Sequence, residues 1–162
     1  VVSSVGAGTS FTIYLPRAQG EELPPEPRRS AATAAAEPGH ETILLVEDED
    51  MLRTLLVRIL TQQGYRVLAA SDATETLTLA RDHLAEVELV VIDMVMPEIS
   101  GMDLLARIRD EGFAMPAVLM SGYWKNLDRV EMNRLGITLF LVKPFSLRFL
   151  DIALRQACPA TA

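Results

Sequence analysis

From Thr42 onward the chain changes five times from a short apolar run to a helical pattern, and few folds accept that rhythm. The strand candidates are 42–46, 66–70, 89–92, 117–120 and 139–142, separated by helical patterns at about 50–63, 72–84, 101–111, 126–135 and 146–157. In the first helix Leu52, Leu55, Leu56, Ile59 and Leu60 fall at i, i+3, i+4, i+7 and i+8, which is one face of a 3.6-residue period. Asp72 and Ser100 stand where N-caps belong, and Gly64 and Gly136 follow helix ends. Strands joined through helices at this spacing form a parallel sheet covered on both faces. The first, third, fourth and fifth runs are nearly continuous in apolar residues, as a sheet buried on both sides requires. The predicted fold class is therefore α/β, a doubly wound five-stranded parallel sheet.

The N-terminal quarter has a different texture. Residues 1–16, VVSSVGAGTSFTIYLP, read as two short strands around a glycine-containing turn, with Phe11, Ile13 and Leu15 alternating against Thr12 and Tyr14. Residues 17–40 hold four of the nine prolines among charges and small residues without apolar periodicity, the composition of a flexible linker. A globular domain over 41–157 and a short tail, 158–162, complete the expected organisation. The first residue is Val rather than Met, so a piece of a longer protein is expected.

Charge and composition exclude several classes. A formal net charge of −7 argues against nucleic acid as a partner, because phosphate neutralisation needs clustered Lys and Arg. A single cysteine, Cys158, allows neither an internal disulfide nor a cysteine metal site. No apolar run approaches the ~20 residues of a membrane span, and the start lacks the basic region of a signal peptide. No membrane contact and a cytoplasmic location are expected.

In a doubly wound sheet all strand C-termini meet at one edge, and ligands bind there. The first strand delivers Glu47 and Asp48 to that edge, the third Asp93, the fourth Ser121 and the fifth Lys143 followed by Pro144. The second ends in Ala-Ala-Ser and adds no charge, as suits an outer strand. Crowded carboxylates repel, and a hard divalent cation relieves them: Mg2+ takes one or two carboxylates and accepts phosphate oxygens. Lys143 can hold one phosphoryl oxygen and the Ser121 hydroxyl can donate to another. Asp93 is then free to attack phosphorus and form an aspartyl phosphate.

Taken together, the acid pair Glu47–Asp48, the run D-M-x-M-P-x-x-S-G from Asp93 to Gly101, Ser121–Gly122 and Lys143-Pro144-Phe145 strongly resemble the receiver domain of two-component response regulators over residues 41–157. The resemblance implies a flavodoxin-like sheet of order 2-1-3-4-5. It implies phosphoryl transfer from the phosphohistidine of a histidine kinase or histidine phosphotransfer protein to Asp93. By the same resemblance Mg2+ is held by Asp48, Asp93 and the backbone carbonyl of Val95, with Glu47 helping through water. Lys143–Pro144 is implied to be a cis peptide, and Phe140 with Ser121 to form the switch that responds to phosphorylation. Residues 1–16 resemble the closing hairpin of a histidine kinase ATP-binding domain, G-x-G-T-x-F-x-x-x-L-P, so the layout is that of a hybrid histidine kinase. The nucleotide-binding motifs themselves are absent from this sequence.

Simpler readings compete at each position. A strand-end Asp is often chemically idle; four companions at the same edge single out Asp93. Glu47 and Asp48 could cap the helix beginning near Asp50, a role compatible with metal binding. Lys143 is not the compositional default, since the chain has two lysines against thirteen arginines. Phe140 is foremost a core aromatic. His40 belongs to the linker, and His83 sits at a helix end, where it suits the dipole. Gly6 and Gly8 fit a hairpin turn better than a phosphate loop. An aspartyl-phosphate phosphatase of haloacid-dehalogenase type places its nucleophile on the first strand and its acid pair late, the reverse of this order. A flavin-binding module needs a hydroxyl- and amide-rich loop where this chain has Val-Glu-Asp-Glu-Asp. Two further expectations attach to the periphery. The unpaired edge of the hairpin can template a weak homodimer, and Trp124, three residues beyond Ser121, is placed to report movement of its loop.

Overall fold

The computed structural model describes residues 1–6, 8–14, 39–83, 85–122 and 129–158. Trp124, the stretch 15–38, the predicted start of the fourth helix at 126–128 and the tail beyond Cys158 lie outside the described residues. The chain divides between residues 36 and 37 into two compact units.

The first unit contains an antiparallel hairpin of β1 (Val2–Ser4) and β2 (Gly8–Ser10) in the register Val2↔Ser10. Gly6 and Gly8 carry φ of 80° and 87°, the left-handed conformation that the tight turn between the strands demands. The second strand ends at Ser10, short of the alternating Phe11 and Ile13, which are exposed, as is Tyr14.

The second unit is the doubly wound sheet. In chain order it contains β3 (Thr42–Val46), α1 (Asp50–Gln62), β4 (Arg66–Ala70), α2 (Ala73–Asp82), β5 (Val87–Asp93), α3 (Gly101–Asp110), β6 (Ala117–Ser121), α4 (Arg129–Arg134), β7 (Ile137–Val142) and α5 (Leu147–Ala157). All four strand pairings are parallel and the spatial order is β4-β3-β5-β6-β7, which is 2-1-3-4-5 counted from Thr42. The period of two along each strand splits the core into two layers. Ile43, Leu45, Leu89, Val91, Val118 and Met120 face Leu56, Leu60, Leu150 and Leu154 of α1 and α5. Leu44, Val46, Val90, Ile92 and Leu119 face Ala80, Leu104, Leu105 and Ile108 of α2 and α3.

The helix starts follow local chemistry. The Asp72 carboxylate accepts from the Glu75 amide, the Ser100 hydroxyl from the Asp103 amide and the Ser146 hydroxyl from the Phe149 amide, each satisfying a donor that the helix leaves open. α1 is different: its N-cap is Glu49, without a side-chain capping bond, while the Glu49 amide donates to Glu47 Oε1 at 3.4 Å. The folded unit also takes in Gly39. This residue is buried, and its amide donates to Gln63 O at 3.0 Å, two residues before the expected boundary at Glu41.

Candidate functional site

Four of the five strands bring their ends together at one edge. The Glu47 amide donates to Ala70 O at 3.1 Å, extending the β3–β4 ladder by one residue; the Glu47 side chain is buried, only 1% exposed. Asp48, next in the turn, is half-buried. β5 ends on Asp93, which is buried, and the Met94 amide ties its exit to Met120 O of β6 at 2.8 Å. Glu47, Asp48 and Asp93 each offer a carboxylate oxygen, and these oxygens lie within 4.8 Å of one another.

β7 carries Lys143 to the same point. Its ammonium lies 2.7 Å from Glu47 Oε2 and 2.9 Å from Asp93 Oδ2. The Lys143 amide donates to Ser121 O at 2.7 Å, so the ends of β6 and β7 are fastened together. Ser121 is buried at the end of β6, and the Lys143–Pro144 bond is cis. Between Asp93 and α3 the chain doubles back sharply: the Gly101 amide donates to Met94 O at 2.9 Å. A Cβ on Gly101 would lie 2.1 Å from Asp93 O, so only glycine fits at the close of that loop.

The electrostatics follow from depth. Burial raises the Glu47 pKa above the usual carboxylate value; the Lys143 hydrogen bond opposes this and the neighbouring Asp93 charge reinforces it. Burial pulls the Lys143 ammonium down, but its bonds to Glu47 and Asp93 together outweigh that and hold its pKa above the usual lysine value. Both shifts point upward because one ammonium serves two carboxylates while Glu47 loses almost all its water. The donor set itself is chemically suited to Mg2+: three hard carboxylate oxygens, with no His or Cys among them.

The remaining predicted positions fall around this cluster. Val95 is exposed two residues after Asp93, and its amide approaches Asp93 Oδ1 at 3.4 Å. Phe140 is half-buried on β7 and packs with the α2–α3 layer of the core. The sequence did not point to Arg53, whose guanidinium donates to the carbonyls of Glu47 and Asp48. An arginine on a helix that follows an acid pair is too common a pattern to announce such a contact. Beside the cluster runs an open cleft walled by Asp48, Ala73, Met96, Pro97 and Ile99.

Residues 43–155 match the response regulator receiver domain family. The chain belongs to that family. The chain is 35% identical over 159 residues to the sensor kinase CckA of Brucella abortus, an alignment covering 95% of this chain and 17% of that protein. It spans 44–49% of the length of several transcriptional regulatory proteins that it also matches. Among solved structures, the receiver domain from hybrid histidine kinase CckA is 34% identical with a TM-score of 0.60, covering 72% of this chain and 97% of that one. The response regulator TrrA of Thermotoga maritima, in complex with Mg2+-BeF, is 26% identical with a TM-score of 0.63, covering 72% and 98%. Among the described residues, no helix is long and apolar enough to cross a membrane.

Proposed function

We propose that Asp93 is the phosphoacceptor of a phosphorelay receiver in a hybrid sensor histidine kinase, acting in the cytoplasm. The observation that carries this is the Lys143 ammonium seated between Glu47 and Asp93, 2.7 and 2.9 Å away, at the edge where three carboxylates converge. The donor is the phosphohistidine of a histidine kinase or histidine phosphotransfer protein. An Asp93 carboxylate oxygen attacks phosphorus as the P–N bond breaks. The electron pair returns to the imidazole nitrogen, which gains a proton from water. Lys143 exchanges its bond to Asp93 for a phosphoryl oxygen, and the Ser121 hydroxyl donates to another. Asp48, Asp93 and the Val95 carbonyl, with Glu47 behind them, would hold Mg2+, which neutralises charge on the transferred group. The protein's own contribution is placement and preorganised charge rather than proton transfer. Closure of Ser121 on the phosphoryl group and inward movement of Phe140 form the switch.

The hybrid-kinase assignment rests on coverage. An alignment to a sensor kinase over 95% of this chain necessarily extends well before residue 41. Residues 1–16 are read as the end of a kinase ATP-binding domain, 17–40 as the linker, 41–157 as the receiver and 158–162 as a tail. The deciding experiment treats the protein with acetyl phosphate and Mg2+ and weighs it intact. The wild type gains one phosphoryl group and Asp93→Asn gains none; equal gain in both refutes the assignment.

A further inference from the structure

Arg53 lies on the first turn of α1, one turn past the acid pair, and its side chain is only 20% exposed. Its Nη1 donates to Glu47 O at 2.9 Å and to Asp48 O at 3.3 Å, while Nη2 pairs with Asp50. The Asp50 side chain is 86% exposed, so that ion pair contributes little. The carbonyl contacts are the consequential ones. Both belong to the residues that present the site's first two carboxylates, and both lie beyond Val46, the last residue of β3. Fixing these two peptide groups fixes the directions in which the Glu47 and Asp48 side chains leave the backbone. Glu49, the N-cap of α1, makes no side-chain capping bond, and the Glu49 amide reaches Glu47 Oε1 only at 3.4 Å.

Lys143 holds Glu47 to Asp93, and the ladder bond to Ala70 O holds the Glu47 backbone. Without the Arg53 tether, the carboxylates, whose oxygens lie within 4.8 Å, would relax apart by turning Asp48 away. A cation binding there would first have to reassemble them. A planar guanidinium spans two carbonyls and a carboxylate at once, which a lysine ammonium cannot match. We propose that Arg53 is a positioning residue for the metal: its fork holds the Glu47–Asp48 turn in the binding-competent form, so that Mg2+ affinity depends on a side chain that never touches the ion. This rests on the reading of the acidic cluster as a Mg2+ site. The competing view makes Arg53 a clasp for the start of α1, contributing to stability alone.

Mg2+ binding by calorimetry, without any phosphoryl donor, separates the two views. Partners that orient metal ligands typically change affinity 10–100-fold when removed, so Arg53→Gln should weaken Mg2+ binding about tenfold. Arg53→Lys keeps the charge and loses the fork; it should weaken binding by a smaller factor. Each variant's metal-free unfolding midpoint is measured alongside. Loss of affinity in Arg53→Gln with partial rescue in Arg53→Lys supports the proposal. An affinity within about twofold of the wild type in folded Arg53→Gln overturns it. So does a loss that merely follows the metal-free midpoint across the two variants. Failure of the wild type to bind Mg2+ overturns the metal site and this proposal together. A phosphoryl adduct on Asp93→Asn would instead sink the phosphoacceptor assignment, and calorimetry would still decide Arg53.

Discussion

Lys143 and Arg109 are both half-buried cations, at opposite edges of one sheet, and they differ in what they face. Lys143 follows β7 and meets two carboxylates. Arg109, at the end of α3, meets backbone carbonyls that lead into the strands: Leu135 O at 2.8 Å, Phe113 O at 2.9 Å and Met115 O at 2.6 Å. Burial lowers the Arg109 pKa, yet arginine stays charged, so its fork can serve as a permanent bracket for three dipoles. Lys143 is a compact charge shared between groups that other ligands can claim. The bracket has nothing left to exchange, whereas the shared charge can trade one carboxylate for a phosphoryl oxygen. Burial of a cation therefore does not mark chemistry; the identity of its partners does.

Replacing Lys143 attacks the chemical side of that contrast and should give the largest effect. Lys143→Met should slow phosphorylation by acetyl phosphate by about 10²–10³-fold, the cost of deleting one preorganised charge contact to a transition state. Initial rates of mass gain at saturating Mg2+ measure it, and a rate near the wild type's would reduce Lys143 to a solvated charge. Arg109→Ala attacks the structural side. Three carbonyls lose their donor, and at roughly 1–3 kcal/mol for each poorly satisfied group the loss should be about 3–4 kcal/mol after partial rehydration. Denaturant unfolding reads that loss. The phosphorylation rate per folded molecule should stay unchanged, and a rate that falls with stability would erase the distinction between the two edges.

The contrast also shows what a sequence displays and what it conceals. Glu47, Asp48, Asp93, Ser121 and Lys143 were readable because a parallel sheet sends every strand's C-terminus to one edge; topology did the work of distance. β3 and β4 match their sequence bounds, while β5 runs longer than its uninterrupted apolar core. Val87 pairs with Thr42 across Glu88, whose carboxylate accepts the Thr42 amide at 3.1 Å. β7 likewise gains Ile137 and Thr138, where the Thr138 hydroxyl donates to Ala117 O at 3.1 Å. In both strands the polar residue, Glu88 or Thr138, is skipped at a register shift and pairing continues on either side of it, so the apolar run stops before the strand does. Arg53 and Arg109 were not readable, since carbonyl partners leave no trace in side-chain order. Alternation misleads in the other direction at Phe11 and Ile13, which are 73% and 79% exposed. A pattern defines a face, and a face needs something to cover it.

The smallest effect concerns the boundary at Gly39, on the edge away from Asp93. The Gly39 amide donates to Gln63 O, and a Cβ there would lie 2.3–2.6 Å from the Tyr65 ring. Tyr65 is itself in the core, 3% exposed, packed with the α1–α5 layer. Gly39→Ala forces ring and backbone apart, and overpacking of this kind should cost roughly 1–2 kcal/mol. Burial pushes the Tyr65 hydroxyl up to about 12, with Arg155 opposing. Tyr65 is an acid with a raised folded pKa. The stability that its neutral form contributes is therefore complete below its ordinary value of 10 and is lost as pH rises toward 12. In Gly39→Ala the loosened ring should ionise at lower pH, and the alkaline loss of stability should become shallower. Ultraviolet titration of the tyrosines, paired with urea unfolding across that pH range, measures both. If stability and the Tyr65 titration are unchanged in Gly39→Ala, Gly39 belongs to the linker and the receiver begins at Glu41; if they move as stated, the last residues before β3 are part of the folded domain.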